Sequence, residues 1–209
     1  MNSRLLTIVT AVVVVLGLLA FAGYRLLMPA VFTPQLSGYA DQPTLGEQNA
    51  PVKLILFENF MCDHCKAFEE RVFPQLKREY IDTGRVEVYY VNLAWGSEQA
   101  VLAGMAGECA YRQDADAFWP FKTALYEAQG QWQTVDDLVA VATAIPGLTP
   151  VDLRDCIEEG RYAAEVQRDL ELGDQVGVTG TPSVVIGTRG FEAPTLEVLR
   201  AAVEEELDN

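Results

Sequence analysis

Apolar and polar positions divide this chain into three zones. Leu5 to Tyr24 is a run of 20 residues without a charge. As a helix it spans about 30 Å, the thickness of a bilayer core, and no polar face interrupts it. Residues 29–50, rich in Pro, Gly, Gln and Ser, read as a tether or a mobile N-terminal arm. From 51 to 209 the pattern is that of one folded domain.

Within that domain Val52 to Phe57 is short, apolar and flanked by Pro51 and the polar Glu58-Asn59, which predicts a buried strand. Cys62 to Asp82 has helical spacing, with Phe68, Val72, Leu76 and Tyr80 four residues apart and Pro74 inside the pattern as a kink. Gly84 ends it, and Arg85 to Leu93 is a second strand. Strand, helix, strand favours a parallel pair with a right-handed crossover. Five helical stretches follow, 97–113, 115–129, 134–144, 149–159 and 161–176, punctuated by Gly130, Pro146-Gly147 and Gly160. Ser97 and Thr134 are the expected N-caps. Ser183 to Ile186 is a third strand, a turn at Gly187 to Gly190 leads into a short fourth, and Thr195 to Leu207 is a last helix. The pattern is an α/β domain: a small central sheet with a helical block, about residues 97–176, inserted between its halves.

Composition alters this picture in two places. The net charge is −15, and Arg4 and Arg25 are the only charges before Asp41, so 13 basic residues face 30 acidic ones in the remainder. Such a surface repels phosphate backbones and excludes nucleic-acid binding. Arg4 beside the apolar run keeps the N-terminus in the cytoplasm and places the domain outside. Residues 1–28 therefore read as a membrane anchor. Ala20-Phe21-Ala22 offers the alternative of a signal cleaved before Gly23. Either way the domain is extracytoplasmic, in the periplasm or at the cell surface.

Export makes disulfides chemically reasonable for the four cysteines, Cys62, Cys65, Cys109 and Cys156. Cys62 and Cys65, two residues apart at a strand-to-helix junction, can close a small ring in one helical turn. Cys62 then sits at the helix N-terminus, where free N–H groups and the dipole favour a thiolate, and Cys65 lies one turn in as the resolving partner. His64 between them adds a positive charge or a hydrogen bond. A zinc site needs two more ligands, and His64 is the only histidine; a purely structural disulfide is the other alternative. Cys109 and Cys156 lie on separate helices of the block and are candidates for a structural disulfide, for two buried thiols, or for a second relay.

Leu45 to Val52, then Phe57-Glu58-Asn59-Phe60-Met61-Cys62-Asp63-His64-Cys65, and later Gly177-Val178-Thr179-Gly180-Thr181-Pro182-Ser183, resemble in this order the two active-site signatures of the DsbA-like thiol–disulfide oxidoreductases. The resemblance runs from Leu45 to the C-terminus. It implies a thioredoxin-like sheet with an inserted helical subdomain, Cys62 as nucleophile, Cys65 as resolving thiol, and Pro182 as a cis proline after a Thr181 whose backbone meets an extended client. It also implies clients among exported protein and peptide thiols, a quinone-linked membrane reoxidation partner of the DsbB or vitamin K epoxide reductase type, and no cofactor. Asp63 departs from the Pro-His of strongly oxidising members: it suits a helix N-terminus but opposes a thiolate on Cys62. An oxidase is thus the first expectation, with a tethered reductase or isomerase, or a non-catalytic client-binding module, as alternatives. Glu58 is a further candidate, for moving a proton.

Overall fold

The computed structural model describes residues 12–17 and 36–208 of the chain. Residues 12–17 are helical and belong to a unit of their own. Among the described residues no helix is long and apolar enough to cross a membrane; the expected span Leu5 to Tyr24 lies outside the described residues except for 12–17.

The larger unit is built on five strands: β1 (Thr44–Leu45), β2 (Val52–Glu58), β3 (Val86–Asn92), β4 (Ser183–Ile186) and β5 (Arg189–Glu192). Their order is β1-β3-β2-β4-β5, with β2 and β3 parallel and the other neighbours antiparallel. Both faces of the central strands are covered, so β2 is continuously apolar from Leu54 to Phe57 rather than alternating. Leu54 and Leu56 of β2, Val88 of β3 and Val184 of β4 enter the main core. Ile55, Phe57, Val91 and Val185 point the other way into a smaller cluster with Tyr39 and Leu172.

Between β2 and β3 the chain forms α1 (Asp63–Arg71), α2 (Phe73–Leu76) and a π-type turn, Lys77–Ile81. The expected single kinked helix is thus broken at Val72. Pro74 has no N–H to give Glu70 and its ring crowds that carbonyl; in the first turn of α2 it is tolerated. The inserted block is α3 (Glu98–Gln113), α4 (Ala115–Glu127), α5 (Val135–Ala142), α6 (Pro150–Glu158) and α7 (Ala163–Val176). Ser97 caps α3 by accepting the Ala100 N–H, and Thr134 with Asp137 forms a capping box on α5. Cys109 on α3 and Cys156 on α6 are joined by a disulfide across a sequence separation of 47 residues. A last helix, α8 (Leu196–Leu207), packs on β2 and β4. β5 begins earlier than expected, because Gly187, at φ 58°, closes the hairpin with Thr188 in two residues.

The tether expected over 29–50 needs correction for its described part. Tyr39 is 2 % exposed and stands edge-on to Phe57, with ring centroids 6.4 Å apart. Gln42 donates to Asp169 at 2.7 Å, Asp169 accepts the Asn92 N–H at 3.0 Å, and Trp119 donates to the Thr44 carbonyl at 2.8 Å. These partners lie far along the sequence, so composition reports the missing periodicity of 36–50 but not its docking.

Candidate active site

Asn59 shapes the turn that leads from β2 to α1. Its side-chain oxygen accepts the Met61 N–H at 2.8 Å, its amide donates to the Trp95 carbonyl at 3.1 Å, and its carbonyl accepts the Cys62 N–H at 2.9 Å. Cys62 is thereby the N-cap of α1, with extended backbone (φ −87°, ψ 118°). Its sulfur lies half-buried at the helix N-terminus, where the first N–H groups point toward it. Cys65 is one turn in and fully buried, and both thiols are free.

Opposite them the Thr181-Pro182 peptide is cis, and Cys62 Sγ lies 3.2 Å from the Thr181 carbonyl oxygen, toward which its S–H donates. Ser183 donates to the Gly180 carbonyl at 2.8 Å, and the Ala193 N–H to that of Pro182 at 2.8 Å. The last bond holds Ala193 in the left-handed region, at φ 44°. Beside this loop His64, Phe68, Arg71, Pro182, Pro194 and Leu196 line an open cavity of about 360 Å³.

The two sulfurs are electrostatic opposites. A hydrogen bond from the Cys65 thiol to Cys62, helped by the Thr181 side chain and the N–H groups of Cys65 and His64, outweighs partial burial and holds the Cys62 thiol down to about 5. Burial first, then the bond to Cys62 and the charge of Glu58, push the Cys65 thiol well above its ordinary range. Asp63 and His64 are both exposed in the first turn.

Beneath the sulfurs lies Glu58, the candidate for moving a proton, with two partners that the linear pattern does not announce. Glu58, the last residue of β2, is 0 % exposed, as is Lys122 of α4. The Lys122 ammonium is 2.9 Å from Glu58 Oε2 and 2.5 Å from Glu69 Oε1. Coulomb attraction between the ammonium and the two carboxylates is the main force that offsets the burial of the cluster. Burial, opposed by Lys122 and aided by Glu69, pushes the Glu58 carboxyl up to about 8. Two signals could have found the partners. Glu69 is four residues after Cys65, on the same helix face; Lys122 stands among Phe118, Phe121, Leu125 and Tyr126 on the apolar stripe of α4. Among the described residues no three His, Cys, Asp or Glu side chains stand together as metal ligands.

Residues 39–205 match the family model described as thioredoxin. The Bacillus anthracis protein named "Probable disulfide bond formation protein D" is 30 % identical over 178 residues, 83 % of this chain and 82 % of its own length. Disulfide bond formation protein D of Bacillus subtilis is 27 % identical over 83 % of this chain and 79 % of its own. The crystal structure of oxidised BdbD from Bacillus subtilis is similar at a TM-score of 0.80 and 27 % identity, covering 87 % of this chain and all of that one. Chlamydia trachomatis DsbA shares the fold at a TM-score of 0.77 and 24 % identity, over 84 % of this chain and 96 % of its own.

Proposed function

Since this chain belongs to the thioredoxin family, we propose that it is a protein thiol–disulfide oxidoreductase that works as an oxidase, passing a Cys62–Cys65 disulfide to the thiols of exported proteins. The observation that carries the proposal is the asymmetry of the two sulfurs. An accessible Cys62 that ionises near 5 is a good leaving group and a stable thiolate, so the reduced form is favoured and the disulfide oxidises its clients. A client thiolate attacks Cys62, a mixed disulfide forms, and the client's second thiol releases it. Cys65 reverses a stalled mixed disulfide by attacking Cys62. The client's chain lies extended beside Thr181-Pro182, and its apolar residues rest in the cavity between α1 and the start of α8.

The same proposal places the domain outside the cytoplasm, held by the apolar run Leu5 to Tyr24. The positive Arg4 before that run and the Cys109–Cys156 disulfide support an oxidising compartment. Reoxidation falls to a quinone-linked membrane partner of the DsbB or vitamin K epoxide reductase type.

Equilibration of the full chain with glutathione tests the direction. A Cys62–Cys65 potential near about −120 mV is expected, and one near about −270 mV would make the protein a reductase. Cys65→Ser should accumulate mixed disulfides with client proteins. Their absence would leave a non-catalytic binding module.

A further inference from the structure

The cavity beside Thr181-Pro182 is apolar at its base and charged on two of its walls. α1 turns one stripe toward it: His64, Ala67, Phe68, Arg71 and Val72, three or four residues apart. Phe68 is buried, as is Leu196 at the start of α8. Arg71 is exposed and interrupts the apolar stripe in the last turn of the helix. A cation suits the free carbonyls at that end of α1, but it would do so on any face of the turn. What marks Arg71 is that its charge is unanswered. Its neighbours one helical turn away are Ala67, Phe68, Pro74 and Gln75, none of them acidic. Lys77, Arg85 and Arg200 each hold a carboxylate within 2.7 Å, whereas Arg71 makes no ion pair among the described residues. Glu197, which lines the cavity from α8, does not answer it either. Its own backbone N–H and the Thr195 side chain hold the Glu197 carboxyl below the ordinary range, and Arg200 is the cation that acts on it. In a chain of net charge −15, a client cavity therefore presents an uncompensated guanidinium.

We propose that Arg71 is a specificity-determining residue: it selects clients that carry an acidic side chain close to their reactive cysteine, with apolar neighbours of that side chain resting on Phe68 and Leu196. The proposal rests on the oxidoreductase function given above and names its client class. Arg71 stands nine positions after Cys62, a rise of about 13 Å along a helix. Its side chain leans back toward the helix N-terminus, and an extended client advances about 3.3 Å per residue. The acidic residue thus falls about two to four positions from the client cysteine. In the exchange two client thiols become one disulfide and the Cys62–Cys65 disulfide becomes two thiols. Arg71 forms no covalent bond in these steps; it holds the client while its thiolate attacks Cys62. A carboxylate and a guanidinium suit each other by charge and by paired hydrogen bonds.

Three dithiol peptides test this. They are identical except for Glu, Gln or Lys placed about three positions outside the cysteine pair on both sides, with apolar residues between. Each is mixed with oxidised full-length protein, and the second-order rate of Cys62–Cys65 reduction is measured. Comparing rate ratios between protein variants cancels the intrinsic reactivity of each peptide's thiols. With wild type the Glu peptide should react about two- to five-fold faster than the Gln peptide, the worth of one accessible ion pair. The ratio should fall toward one at high salt, where the Debye length shrinks to about 3 Å. Arg71→Gln should lower the ratio to the salt-screened value, Arg71→Lys should keep most of it, and Arg71→Glu should shift the preference to the Lys peptide. Equal rates for the Glu and Gln peptides with wild type, or a Glu preference that survives Arg71→Gln, overturns the proposal. A wild-type preference for the Lys peptide would assign the cavity to Glu197 and overturn it too. So would a wild-type dimer that Arg71→Glu dissociates, since a second copy would then occupy the cavity. Wild type that oxidises none of the three peptides would instead overturn the oxidoreductase function on which the proposal rests.

Discussion

Cys62 and Cys65 share one helical turn, yet one sulfur favours its anion and the other its thiol. The cause is position along α1. Cys62, as N-cap, receives the Cys65 thiol and two backbone N–H groups, whereas Cys65 is closed off from water and sees the charge of Glu58. Iodoacetamide should therefore alkylate reduced protein with a midpoint near pH 5, and Cys65→Ala should move that midpoint upward because it deletes the largest stabilising contact. The linkage has a definite sign. A thiol whose folded value is depressed adds to the stability of the reduced fold as pH rises from about 5 to the ordinary thiol value near 8.5, and the gain is lost as pH falls back through about 5. The urea midpoint of reduced wild type relative to reduced Cys62→Ala should rise across that window, and a flat difference would contradict the assignment. The CxxC spacing was legible in the sequence. The depth of Cys65 was readable only as an expectation, and Glu58 only as a candidate for moving a proton; its burial against Lys122 and Glu69 was not readable.

Elements were most legible where the periodicity was long. The five helices of the inserted block, strands β2, β3 and β4, and the caps at Ser97 and Thr134 lie within a few residues of their expected positions. The capping box of α5 gives a clean test. Thr134 accepts the Asp137 N–H at 3.3 Å while Asp137 accepts the Thr134 N–H at 2.9 Å. Thr134→Ala should lower the unfolding free energy by about 1 kcal/mol in urea titrations, and Thr134→Ser by much less. Elements failed to announce themselves where their partners are remote. β1 is two residues long and exists because Thr44 and Leu45 meet Tyr89 and Val88 across the edge of the sheet. The break at Val72 was foreshadowed by Pro74, but its resolution into a short helix and a π-type turn depends on what packs against Phe73, Leu76 and Tyr80.

At the scale of the folded unit, residues 36–208, the inserted block and the sheet meet around Cys62 and Cys65. The block is clamped by Cys109–Cys156, which closes a loop of 47 residues in separation. Restricting the unfolded chain in this way is worth about 4 kcal/mol in a chain-entropy account. The double change Cys109→Ala with Cys156→Ala should lower the unfolding free energy by roughly that amount, while leaving Cys62 and Cys65 able to exchange; loss of exchange without loss of stability would instead make this disulfide a second relay. The same block delivers Lys122 to Glu58 and Glu69, so the packing of helix on sheet is felt at the sulfurs. By itself the sequence determined the α/β class, the helical insertion, the close pair Cys62 and Cys65 and the Thr181-Pro182 turn, because periodicity, turn residues and close cysteine spacing are local signals. Only the tertiary structure decided that 36–50 is built into the fold, that Cys109 and Cys156 are bonded rather than two buried thiols, and that Lys122 neutralises part of a buried acidic pair. Each of those depends on residues far apart in the chain meeting away from water, where burial rather than sequence neighbours sets the energy of a charge.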